Sequence, residues 1–141
     1  MESLDNALVM IIDDNPENLK YLASIVKKSG YEYVMSLNGK QAFEFLKSEK
    51  PDIILLDIMM PEMDGYEICQ KLKSNENTKD IPVIFVTAKT EIDEIVKGFE
   101  VGGVDYVTKP FNSVILESRI RTHIELKRSK DKLNMGPYSG F

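Results

Sequence analysis

Two aspartates, Asp13 and Asp14, stand side by side after the apolar run Val9, Met10, Ile11, Ile12. A third, Asp57, follows "IILL". Thr87 closes "VIFVT", and Lys109 follows "VDYVT". Taken singly, each has an ordinary explanation. Aspartate caps helices, threonine suits the end of a strand, and a lysine before proline is usually a solvated charge. "DNPE" is itself a good helix start, with Asn15 as cap and Pro16 at the first helical position. That explains one carboxylate and leaves its neighbour unexplained. If the four apolar runs are parallel strands, all these groups lie on one edge of one sheet. Two carboxylates ~4 Å apart at an effective dielectric of ~20 repel by about 4 kcal/mol, and one lysine cannot neutralise three. No histidine or cysteine falls at these positions, so the donor set is all oxygen. Such a set suits a hard divalent cation, Mg2+ by preference, which favours one or two carboxylates plus a phosphate. With cation and lysine present, Asp57 stays ionised and can attack phosphorus as a carboxylate nucleophile, while Thr87 and Lys109 meet phosphoryl oxygens.

Those positions require a particular scaffold. Strands are expected at 8–13, 31–36, 53–57, 83–87 and 104–108. Helices are expected at 16–29, 40–48, 65–74 and 91–101, with a long last one from 113 to about 133. Gly30, Gly39, Pro51, Pro82 and the Gly102–Gly103 pair punctuate them. Five β–α units in alternation predict an α/β domain: a doubly wound, flavodoxin-like (βα)5 sandwich around a five-stranded parallel sheet. The first, third and fourth strands are almost wholly apolar, as central parallel strands should be. "YEYVMS" and "VDYVTK" are mixed and suit the edges. In such sheets ligands bind beyond the carboxyl ends of the strands.

The chain has 141 residues, 43% hydrophobic and 29% charged, with net charge −5. This composition fits one globular domain and speaks against nucleic acid as the main partner. The single cysteine, Cys69, reads as a buried helix thiol. No leader is expected in "MESLDNAL", and no apolar run approaches the ~20 residues of a membrane span, so a cytoplasmic setting is the simplest expectation.

At "IIDDNPEN", "PDIILLDIMMPEMDGYE", "IPVIFVTA" and "VDYVTKPF" the chain resembles the receiver domain of bacterial two-component response regulators, over roughly residues 8–124. The resemblance implies the strand order 2-1-3-4-5. It implies that Asp57 is the phosphoacceptor, that Asp14 binds Mg2+ directly, that Asp13 acts largely through water, and that the Met59 backbone carbonyl is a further ligand. It implies that Lys109 contacts the phosphoryl group, that Pro110 follows a cis bond, and that Thr87 and Tyr106 form a switch pair. The implied donor is a phosphohistidine on a sensor histidine kinase or phosphotransfer protein. Phosphorylation would repack the face made by the fourth helix, fifth strand and fifth helix, acting on an output domain or partner, with a homodimer as one further contact.

Met59 and Lys89, each two residues past a site residue, carry no group that orients a hydrolytic water, so a phosphoryl lifetime of minutes or more is expected. The last helix bears an apolar stripe at Leu116, Ile120 and Ile124. Beyond it "ELKRSKDKL" is mostly charged, with Leu126 and Leu133 one heptad apart. The expected division is a receiver at 1–124 and a helical extension or linker at 125–141. Two other readings compete. An interaction module without phosphorylation predicts a lost site residue, and the full set is present. A haloacid-dehalogenase-type phosphatase places Asp-x-Asp after the first strand, whereas Asp13 and Asp14 are adjacent. Nucleotide binding is disfavoured because no Gly-rich loop follows the first strand.

Overall fold

The computed structural model describes residues 6–88 and 91–135. Ten elements alternate without exception: β1 Leu8–Ile12, α1 Pro16–Lys28, β2 Glu32–Ser36, α2 Gly39–Leu46, β3 Ile53–Leu56, α3 Gly65–Lys73, β4 Val83–Thr87, α4 Ile92–Glu100, β5 Asp105–Thr108 and α5 Ser113–Met135. The strands form one parallel sheet in the order β2-β1-β3-β4-β5. The mixed sequences of β2 and β5 thus sit at the two edges. The wholly apolar runs of β1, β3 and β4 are central and buried.

Alternation along the central strands sorts their side chains into two cores. Val9, Ile11, Ile53, Leu55, Ile84 and Val86 face α1 and α5, where Leu22, Val26, Leu116, Ile120 and Ile124 meet them. Met10, Ile12, Ile54, Leu56, Val83 and Phe85 face the other way, against Ala42 of α2 and Ile68, Cys69 and Leu72 of α3. Each fully buried Leu or Ile contributes ~1.5–3 kcal/mol.

Most of the expected element ends move inward by a residue or two. β1 and β3 stop at Ile12 and Leu56, so Asp13 and Asp57 lie just past the sheet instead of closing it. Ser29 and Ser74 cap α1 and α3 and are not their last turns. α2 runs from Gly39 because Asn38 supplies the cap, accepting from the Gln41 N–H. α5 is two residues longer than expected, at 23 residues, and therefore about 35 Å. Its start is fixed by the Asn112 side chain, which accepts from the Val114 and Ile115 N–H groups.

Candidate phosphoacceptor site

The last backbone hydrogen bonds of the sheet hold the site in place. The Asp13 N–H donates to the Ser36 carbonyl, Asp57 N–H to Ile12, and Lys109 N–H to Thr87. These bonds extend the ladders by one residue and bring Asp13, Asp57, Thr87 and Lys109 to a common edge. The α1 cap works as expected: the Asn15 side chain accepts from the N–H groups of Glu17 and Asn18, with Pro16 at the first helical position. Asp13 is therefore spared capping duty. Its Oδ1 accepts from the Asn15 N–H at 2.9 Å, and its Oδ2 accepts from Lys109 Nζ at 3.1 Å.

Lys109 also lies 3.5 Å from Asp57 Oδ2, so one ammonium bridges two carboxylates that are both almost fully buried. Asp14, beside them, is exposed. One carboxylate oxygen from each of Asp13, Asp14 and Asp57 lies within 4.8 Å of the others, a grouping that could hold a metal ion. Burial, and next the Asp13 charge, push the Asp57 carboxyl above its ordinary range; Lys109 and the Ile58 N–H pull it part of the way back. Three carboxylates facing one lysine leave an excess of negative charge, so the residues present fit a hard divalent cation.

Thr87 is buried at the end of β4. Behind it Ile58, Phe85, Ile95, Phe99 and Tyr106 line a partly open pocket with room for about one water molecule. Tyr106 is half-buried, its ring edge-on to Phe99 at 6.2 Å. The Lys109–Pro110 peptide is cis. Met59 lies in the loop after β3 with its side chain 61% exposed. Lys89 lies outside the described residues.

One supporting residue escaped the sequence reading. Gly65 opens α3 directly against the Asp57 backbone: its N–H donates to the Ile58 carbonyl at 2.8 Å, and a Cβ there would lie 2.2 Å from the Asp57 carbonyl oxygen. The visible signal was "MDGYE", a glycine placed right after a helix-capping aspartate. Among the described residues, no helix is long and apolar enough to cross a membrane.

The chain is similar to several known proteins. A probable cyclic di-GMP phosphodiesterase of Vibrio cholerae is 42% identical over 139 residues, covering 98% of this chain. The chain spans only 31% of that relative's length. The receiver domain of a signal transduction histidine kinase from Syntrophus aciditrophicus superposes with a TM-score of 0.79 at 34% identity, covering 84% of this chain and 90% of that one. The receiver domain of a Pseudomonas aeruginosa PAO1 sensor histidine kinase, solved with magnesium coordinated in its active-site cleft, gives 0.78 at 26% identity, covering 85% of this chain and 98% of that one. The family model of the response regulator receiver domain matches residues 9–121. The chain therefore belongs to the response regulator receiver domain family, a regulatory family of two-component signalling.

Proposed function

We propose that this chain is a phosphoacceptor switch in which Asp57 takes a phosphoryl group from a phosphohistidine on a sensor histidine kinase or phosphotransfer protein. The observation that carries the reading is the ammonium of Lys109 within 3.1 and 3.5 Å of two buried carboxylates, Asp13 and Asp57. Asp13, Asp14, Asp57 and the Met59 backbone carbonyl would hold the magnesium ion, which when bound neutralises charge on the incoming phosphoryl group. An Asp57 carboxylate oxygen forms the new bond to phosphorus as the phosphorus–nitrogen bond of the donor breaks. The departing imidazole nitrogen keeps the electron pair and is protonated from solvent. Lys109 pairs with one phosphoryl oxygen, and the Thr87 hydroxyl donates to another.

The readout is mechanical. Ile95 and Phe99 of α4 line the pocket behind Thr87 together with Tyr106, so a Tyr106 ring that sinks further presses on them. A hydroxyl drawn toward the phosphoryl group thus repacks α4, β5 and α5, the face offered to an output domain, a partner or a second copy. Residues 1–124 form the switch and 125–141 the connection to what it controls, in a cytoplasmic setting.

Incubation with acetyl phosphate, with and without Mg2+, followed by intact mass measurement tests the reading. One added phosphate is expected, abolished by Asp57→Asn and by chelation. Labelling that survives Asp57→Asn, or no labelling at all, overturns it.

A further inference from the structure

β5 is the outer strand of the sheet among the described residues, and its free edge is closed by side chains in place of another strand. The Tyr106 N–H donates to Asp105 Oδ1 at 2.9 Å, and the Tyr106 carbonyl accepts from the Arg119 guanidinium. Arg119 also pairs with Asp105 Oδ1 at 3.6 Å and lies 6.0 Å from the centre of the Tyr106 ring. The second carboxylate oxygen, Asp105 Oδ2, meets Nε2 of His123 at 3.0 Å. Both polar groups of the Tyr106 backbone are thus held by a clamp whose far end is the single histidine of the chain.

We infer that His123 is a positioning residue for Tyr106, acting through Asp105 and Arg119 and setting how readily the ring leaves its place beside Phe99. The inference rests on the switch role proposed for Tyr106. Imidazole is the one side chain whose ordinary titration falls between about pH 5 and 8. As imidazolium, His123 gives Asp105 Oδ2 a charged partner and stabilises the arrangement that contains the clamp. The charged groups that line the same groove as His123 are Lys73 from α3, Lys79 and Asp80 from the turn before β4, and Lys127, Lys130 and Asp131 from α5. Lys127 is paired with Asp131 at 2.6 Å, and Lys73 donates to the carbonyls of Lys79 and Ile81. Asp105 is the acidic group in contact with the ring, so a charge gained by His123 acts first on that carboxylate.

Fluorine NMR of the fluorotyrosine-labelled chain tests this, with the Tyr106 resonance assigned by its loss in Tyr106→Phe. Spectra are taken across about pH 5 to 8 without phosphodonor or Mg2+. The ratio of two Tyr106 environments should change about two- to fivefold, as a partly exposed ion pair allows. The change should vanish in His123→Gln and in Asp105→Asn. A titration that persists in either variant, or a Tyr106 signal that ignores pH in the wild type, overturns the inference. No phosphate is used, so an absence of acetyl phosphate labelling sinks the proposed function and leaves this measurement standing.

Discussion

Asp57 lies in a buried place beside Asp13, and its carboxyl is held above the ordinary 3.8 chiefly by burial. The folded chain therefore binds a proton that the unfolded chain releases first. This contribution to stability is full below 3.8 and is lost as pH rises through the raised value. At neutral pH the metal-free protein carries that penalty, and Asp57→Asn should raise its melting temperature by a few degrees. The two proteins should converge near pH 4 and below. Mg2+ should raise the wild-type transition and leave Asp57→Asn much less affected, because only the former offers the full set of carboxylates. Thermal denaturation across pH, with and without Mg2+, measures both effects, and a lower melting temperature for Asp57→Asn at neutral pH contradicts the account. Met59 makes a separate prediction. Its exposed thioether cannot orient water, and Met59→Asn adds a group that can. One additional hydrogen bond of ~1 kcal/mol in the transition state speeds loss of the phosphoryl group about fivefold. Decay of the labelled mass after removal of the donor is the readout, and an unchanged rate would falsify the role of this position.

At the scale of elements, the site depends on how tightly α3 is drawn under Asp57. Gly65 opens that helix with its backbone against the Asp57 carbonyl oxygen and the Ile58 Cα, where a Cβ would stand at 2.2 and 2.8 Å. Both obstacles are backbone, so neither can swing aside. Gly65→Ala should cost about 1–3 kcal/mol in urea denaturation, as overpacking does, and should slow Asp57 labelling by displacing the carboxylate from Lys109. A variant as stable as the wild type would show that α3 can retreat without consequence. The helix starts divide the remaining work. Asn15, Asn38, Asp64 and Asn112 side chains all cap backbone N–H groups. Asp13 and Asp57 are left free to face one another across the sheet edge.

The described residues form one sheet between two helical layers, with α5 outrunning it. Leu116, Ile120 and Ile124 are buried, whereas Leu126 and Leu133 are 59% and 78% exposed. The last turns therefore contribute little to the domain's own core. A chain ending at residue 128 should keep its stability to within about 0.5 kcal/mol and accept phosphate as before. A larger loss would mean that the overhang belongs to the receiver and would move the proposed boundary at 124. Much of this architecture was legible in residue order. Apolar runs of four or five residues bounded by Gly, Pro and Asn define strands by local chemistry, and uniform apolarity separates buried strands from the mixed edge strands "YEYVMS" and "VDYVTK". The acidic pair and Asp57 were legible for the same reason, since a carboxylate after a wholly apolar strand has one edge on which to lie. The linear order could not show which neighbours those groups acquire. That Lys109 bridges Asp13 and Asp57, that Gly65 abuts the Asp57 backbone, and that His123 reaches Tyr106 through Asp105 all depend on contacts between different elements. Local propensity and periodicity act over a few residues, while such distances of a few ångströms are set only when the two cores pack and fix every strand end at once.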